Sequence, residues 1–165
     1  VDVLIESFAG AYSRYNGKKP LKLRIVWDGP ERKKLEKLTE KLTLSTSVEF
    51  LGQRPIDEVR SEFLPSLHIF VNPSFQEWLP TTVIEALIAG CRVIATDVWG
   101  TREILRHAPF TLVAPRSVRA ISEALSEMIH SQNSSSSRIS PSLFLWEQTF
   151  REFREIYNQF VWKKH

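Results

Sequence analysis

LHIFVNPSFQEWLPTTVIEALIAGCRVIAT, residues Leu67 to Thr96, is the stretch that decides the fold. Leu67 to Val71 is a short apolar run rich in branched and aromatic residues, which predicts a strand. Asn72 to Leu79 predicts a loop. Pro80 to Ala89 predicts a helix, with Pro80 suited to its first position and Gly90 to its C-terminal cap. Arg92 to Thr96 predicts a second strand. Strand, helix and strand in this order form the unit of a parallel sheet.

The same alternation extends in both directions. Apolar residues at positions 1, 4, 5, 8, 9 and 12 give Val1 to Tyr15 a helical period, ended by Gly17 and Pro20. Leu21 to Trp27 predicts a strand closed by the turn Asp28-Gly29-Pro30. Residues 31–44 predict a charged amphipathic helix with Leu35, Leu38 and Leu42 on one face. Val48 to Leu51 predicts a strand stopped by Gly52, and Ile56 to Leu64 a helix. Downstream, Gly100 to Arg106 predicts a short helix, Phe110 to Val113 a strand, and residues 117–130 a helix. The expectation is an α/β domain with a Rossmann-like parallel sheet and helices on both faces over residues 1–131.

Residues 132–141, with four consecutive serines, predict a flexible linker. Beyond it, Trp146, Phe150, Phe153, Tyr157 and Phe160 predict one aromatic stripe down a terminal helix, residues 142–165. The stripe suits an apolar partner surface, or packing on this domain's own sheet or helices.

Length and composition agree with a soluble α/β domain. The chain has 165 residues, 42% hydrophobic and 25% charged, which excludes wholesale disorder, collagen-like repeats and a disulfide-stapled miniprotein. The formal charge of +3 fits an anionic ligand and makes no case for nucleic acid. One cysteine, Cys91, permits no internal disulfide and points to a reducing, cytoplasmic compartment. No apolar run approaches the ~18 residues that span a bilayer. The tip Val161 to His165 combines aromatic and basic residues that could touch an anionic membrane at its cytoplasmic face; a solvated terminus is the alternative.

Parallel sheets of this kind bind ligands at the C-terminal ends of their strands. Those ends are Trp27–Pro30, Gly52–Arg54, Asn72–Thr82 and Thr96–Thr101. At the third of them Thr81 and Thr82 open a helix, whose unpaired N–H groups and dipole favour an anion. Glu85 is the sole charge between Val83 and Ala89, and a carboxylate so placed needs partners. It shares a helix face with Thr81 and Thr82, and Glu77 lies in the preceding loop. Two carboxylates flanking an anion hole suit a nucleotide-diphosphate sugar. The alternative is that Glu85 pairs with a buried arginine and Glu77 is a solvated loop acid.

The carrying segments VDVLIESF, IVWDGPERKKLEKL, VEFLGQRP, HIFVNPSFQEWLPTTVIEALIAGCRVIATDVWGTREIL and LWEQTFREFREIY resemble the donor-binding, C-terminal half of family 4 retaining glycosyltransferases of the GT-B fold. Glu77 and Glu85, with seven residues between them and Pro-Ser upstream, match the paired-glutamate motif of that family. The resemblance implies that Glu85 accepts the ribose hydroxyls and that Glu77 contacts the transferred sugar and stabilises its oxocarbenium-like transition state. It implies that backbone N–H groups around Leu79, Thr81 and Thr82 hold sugar and phosphate. It also places the nucleobase at Gly52–Arg54, so that Gly29 and Arg54 join the donor-binding set. No metal or other cofactor is implied, and there is no Asp-x-Asp.

Trp27, Trp78 and Trp99 stand where this family commonly has glycine, and Trp27 would crowd the donor if it pointed into the crevice. The family also carries a central strand and a basic pair ahead of the segment that matches Val1, and an N-terminal acceptor domain. The expectation is a fragment or one chain of a split enzyme, inactive alone and completed by that domain or by a partner chain. A non-catalytic interaction module and one half of a sugar-nucleotide epimerase are the rival readings. His68, His107 and His130 read as structural, Cys91 as a buried thiol, and the Lys33–Lys41 segment as a solvated helix face. Asp97 and Thr101 are candidates to line the crevice.

Overall fold

The computed structural model describes residues 1–78, 80–104 and 110–131, with the backbone alone at 103 and 104. Helix α1 (Asp2–Arg14) precedes strand β1 (Leu23–Ile25), α2 (Arg32–Lys41) and β2 (Val48–Phe50). A helical segment of changing pitch follows: α3 (Ile56–Glu58), a π turn (Val59–Phe63) and a 3-10 turn (Leu64–Ser66). Then come β3 (Ile69–Asn72), α4 (Thr81–Ile88), β4 (Arg92–Thr96), α5 (Trp99–Ile104), β5 (Phe110–Val113) and α6 (Val118–His130). The linker at 132–141, the aromatic stripe from Trp146 to Phe160 and the tip at Val161–His165 lie outside the described residues, as does Leu79.

All strand pairs are parallel, as the alternation requires, but they form two sheets. β1 pairs with β2, and β3, β4 and β5 pair in sequence order. Among the described residues no strand joins β1 to β3, so the strand order breaks there. The break coincides with the place where the family resemblance puts one further strand.

Helix α1 joins the two parts. Its Ile5 and Phe8 bury against Ile25 of β1, Leu35 of α2 and Val48 of β2. One turn on, its Ala11 buries against Ile94 of β4, Val113 of β5 and Ile121 of α6. Gly10 lets α1 cross α6 closely, since a Cβ there would sit 2.5 Å from Ser122 Oγ. The Ser7 hydroxyl, fully buried at this crossing, donates to the carbonyls of Val3 (2.6 Å) and Val118 (3.1 Å). Arg14 donates to Ser122 Oγ at 2.6 Å on the same seam.

β4 is the central strand of its sheet, and its alternation shows helices on both faces. Val93 and Ala95 pack with Val83, Ala86 and Leu87 of α4, whereas Ile94 packs with α1 and α6. Cys91 sits under α4, 3% exposed, with its thiol donating to the Leu64 carbonyl at 3.2 Å. Burial pushes that thiol up to about 11, so it is protonated and inert at neutral pH.

Three sequence expectations shift. The helix over Ile56–Leu64 is not a plain α-helix: it widens to a π turn at Val59–Phe63, then tightens at Pro65, whose missing N–H cannot continue the α ladder. β3 begins two residues later than Leu67 and takes in Asn72. Pro80 is the N-cap of α4 rather than its first helical residue, so the helix opens at Thr81.

Ile5→Ala is expected to lower stability by about 2–5 kcal/mol, the range for emptying a fully buried aliphatic site. Urea unfolding should show a lower midpoint with an unchanged slope. An unchanged midpoint would remove α1 as the join between the sheets.

Candidate functional site

The ends of the strands build the site. Asn72, 8% exposed at the end of β3, accepts from the Ser74 N–H (3.2 Å) and the Ser74 hydroxyl (2.7 Å) through Oδ1. The Thr96 hydroxyl, at the end of β4, donates to the Ser74 carbonyl. Two buried polar side chains thus turn the chain out of the sheet into the loop that carries Glu77.

The far end of that loop is fixed against α5. The Gly100 N–H donates to the Glu77 carbonyl at 3.1 Å. A Cβ at position 100 would lie 2.4 Å from the Trp78 carbonyl oxygen and 2.5 Å from that of Glu77. Only glycine permits this approach, so Glu77 and Trp78 are held over the first turn of α5. Trp78 and Trp99 consequently meet edge to face, ring centroids 5.9 Å apart, with both indoles open to solvent. Asp97 in the neighbouring loop is bound by Arg102, whose guanidinium holds the carboxyl below its usual range. Thr101 is fully buried and does not line the crevice, which corrects the expectation for it; its hydroxyl has no hydrogen-bond partner among the described residues.

Helix α4 opens without a side-chain cap, because Pro80 has no capping oxygen to offer. Val83 and Ile84 donate back to the Pro80 carbonyl, at 3.0 and 3.2 Å. The N–H groups of Thr81 and Thr82 have no partner among the described residues, and both residues are exposed. The donors expected from the sequence are therefore present, one position earlier in the helix than anticipated. Leu79, the third expected backbone donor, lies outside the described residues.

Glu85 has the partner that its apolar helix demands. Its Oε1 accepts from Arg60 at 2.6 Å (Nη2) and 3.1 Å (Nε). The glutamate is 17% exposed and the arginine 55%. This is an ion pair, as in the alternative raised above, but the arginine is at the surface rather than in the interior. Glu85 Oε2 takes no protein hydrogen bond among the described residues. The sequence demanded a cation for Glu85 but could not say which one. Arg60 lies on the π turn after β2, 25 residues away, and only the fold brings it near.

The β1 and β2 ends form the other flank. Gly52 has a left-handed backbone, φ 71°, beside Arg32 and Asp28. Arg32 bridges Asp28 (3.2 Å) and Glu36 (2.9 Å) and donates to the Phe50 carbonyl, tying the turn after β1 to the end of β2. Arg54 is held by Glu58 at 3.2 Å and by the Leu51 carbonyl. Trp27 is half-buried against the cluster of Ile25 and Leu35, and its ring covers Gly29, where a Cβ would meet it at 2.5 Å. It therefore packs into the domain, and Gly29 lies beneath it rather than open to a ligand. No group of His, Cys, Asp and Glu suited to a metal ion occurs among the described residues. No described helix is long and apolar enough to cross a membrane.

Residues 1–141 match the family model of glycosyl transferases group 1. The chain belongs to this family. The phosphatidylinositol N-acetylglucosaminyltransferase gpi3 subunit of Schizosaccharomyces pombe is 40% identical over 81 residues, covering 49% of this chain and 18% of that protein. WaaG, a glycosyltransferase involved in lipopolysaccharide biosynthesis, superposes with TM-score 0.64 at 30% identity, over 78% of this chain and 34% of that one. Alr3699/HepE of Anabaena in complex with UDP superposes with TM-score 0.72 at 19% identity, over 95% of this chain and 44% of that one. The fold is that of GT-B glycosyltransferases, and this group 1 chain spans less than half the length of each of these proteins.

Gly100→Ala separates two opposed effects. Helix propensity alone would stabilise α5 by about 1 kcal/mol, whereas overpacking against the Glu77–Trp78 carbonyls costs about 1–3 kcal/mol. A net loss in urea unfolding is expected, with a changed tryptophan emission spectrum as Trp78 and Trp99 move apart. A net gain with unchanged emission would contradict this close approach of the two backbones.

Proposed function

We propose that this chain is the donor-binding half of a retaining, family 4 hexosyltransferase, holding a nucleotide-diphosphate sugar in the crevice between Gly52 and the start of α4. The observation that carries the reading is the carboxylate of Glu85. It is mostly buried, and among the described residues it is held by a surface arginine through one oxygen only; Thr81 and Thr82, whose N–H groups have no partner among those residues, lie one turn before it on the same helix. A ribose hydroxyl donates to Oε2 while Arg60 keeps Oε1, and the helix N-terminus takes the diphosphate.

Glu77 lies on the sugar side of the crevice, where a carboxylate stabilises positive charge developing on the hexose. In this reading the bond between C1 and the phosphate oxygen breaks and one to the acceptor oxygen forms on the same face. The acceptor's proton passes to the leaving phosphate. No residue of this chain serves as a covalent nucleophile, and no metal or other cofactor is used. The acceptor is a glycan, a lipid or a small molecule, bound by an N-terminal domain or a partner chain. The break in strand order between β1 and β3 supports a further strand from that source, which would also bring the basic groups the diphosphate needs. This chain by itself then carries no transferase activity. A cytoplasmic location, with peripheral contact at a membrane face, fits the same reading; nucleic acid is not a partner.

The rival is a non-catalytic module in which Arg60 neutralises Glu85 permanently. Calorimetric titration with UDP, GDP and ADP and their sugars separates the two. One of these is expected to bind, and Glu85→Gln is expected to weaken it at least tenfold, about 1.4 kcal/mol, with an unchanged circular dichroism spectrum. No binding to any of them by a form of the chain with the upstream strand restored, or equal binding by the variant, would favour the module. Sugar transfer by the purified chain alone would overturn the claim of inactivity.

A further inference from the structure

We infer that Trp78 and Trp99 together form a stacking platform for a pyranose ring at the mouth of the crevice, a specificity-determining subsite that the donor-binding groups do not explain. The inference rests on the donor reading for its place in the reaction, but its geometry stands independently.

The two indoles are 83% and 76% exposed, the most exposed of the large apolar side chains among the described residues. Exposure of this kind costs burial energy and gains nothing for the fold. They are nonetheless held in place. Trp78 follows Glu77, whose carbonyl accepts from Gly100, and Trp99 precedes Gly100. One backbone hydrogen bond of 3.1 Å therefore holds together the chain segments that carry both. At 5.9 Å and 70° the edge of one ring meets the face of the other, which pairs the two rings and leaves indole surface open to solvent. Trp78 stands on the loop after β3 and Trp99 at the start of α5 after β4, adjacent strands of one parallel sheet, at the end where such sheets take ligands.

The surroundings select the occupant. A protein interface wants a contiguous apolar patch with depleted charge. Here Leu79 and Val98 flank the pair in sequence, but polar side chains stand on the same segments: half-buried Glu77, exposed Thr81, and the ion pair of Asp97 with Arg102. Phe75, the other exposed aromatic on the loop, is taken by Arg116, whose guanidinium lies 4.8 Å from the ring centroid. Flat aromatic faces on segments that also carry hydroxyl and carboxylate groups match a sugar. Its ring C–H hydrogens carry partial positive charge toward the negative π face, and its hydroxyls reach outward to hydrogen-bonding partners. The pyranose comes either from the donor, as its hexose, or from a glycan acceptor.

Saturation-transfer difference NMR on the full chain distinguishes the sources, with UDP, UDP-glucose, and trisaccharides of glucose and of N-acetylglucosamine as probes. Wild type is expected to transfer saturation to pyranose C–H protons of UDP-glucose (donor arm) or of a trisaccharide (acceptor arm). The double variant Trp78→Ala/Trp99→Ala should lose at least four fifths of that transfer while keeping the ribose and base signals of UDP. Pyranose signals equal in wild type and variant, or absent from both arms, would overturn the inference and leave the donor reading intact if UDP still binds. Conversely, absence of UDP binding with a tryptophan-dependent trisaccharide signal would sink the donor reading and uphold the platform. Self-association of wild type that the variant abolishes, with no pyranose signal, would assign the pair to a protein contact and overturn the inference.

Discussion

The hydrogen bond from the Gly100 N–H to the Glu77 carbonyl ties together two loops that leave different strands, and the site is organised around it. Loops at the C-terminal ends of parallel strands have no ladder of their own and would wander independently. Here the loop after β3 is pinned at its start by Asn72 and Thr96 and at its far end by the first turn of α5. Because no side chain fits at position 100, the two backbones close to direct contact. That contact sets where the backbone of Glu77 and Trp78 stands and brings Trp78 beside Trp99.

A second constraint acts on the helix. α4 presents Val83, Ala86 and Leu87 to β4 and from Val83 to Ile88 is apolar apart from Glu85. An ionised carboxylate at such a position is tolerated only with strong partners. Arg60 provides one without drawing Glu85 inside, because the arginine itself stays at the surface. The pair is therefore a compromise: charge is compensated through one carboxylate oxygen, and the other takes no hydrogen bond among the described residues.

Much of this was legible from residue patterns, for identifiable reasons. β4 and β5 came out with the bounds expected, Arg92–Thr96 and Phe110–Val113, because each is a short apolar run between a Gly or Pro and a turn. The helix at residue 80 was legible from Pro80 and Gly90, although the proline caps rather than opens it. What escaped depends on contacts distant in sequence. Arg60 carries no spacing relation to Glu85, the π turn at Val59–Phe63 has no signature in propensity, and the role of Gly100 is set by carbonyls more than twenty residues upstream. The direction of Trp27 was undecidable from the turn it precedes, and the core of Ile25 and Leu35 decided it. The division into two sheets appears only in the pairing, where α1 replaces strand hydrogen bonds as the join.

The central claim is that the start of α4, with Glu77 and Glu85, and the Gly52 turn face one nucleotide. Backbone amide NMR of the isotopically labelled chain during titration with UDP, GDP and ADP at millimolar concentration tests it most directly, since weak binding still shifts local resonances. The account expects one of the three to move the amides of Gly52, Glu77, Thr81, Thr82 and Glu85 together along a single saturation curve. Saturable shifts that map elsewhere, or none from any of the three nucleotides, would contradict it.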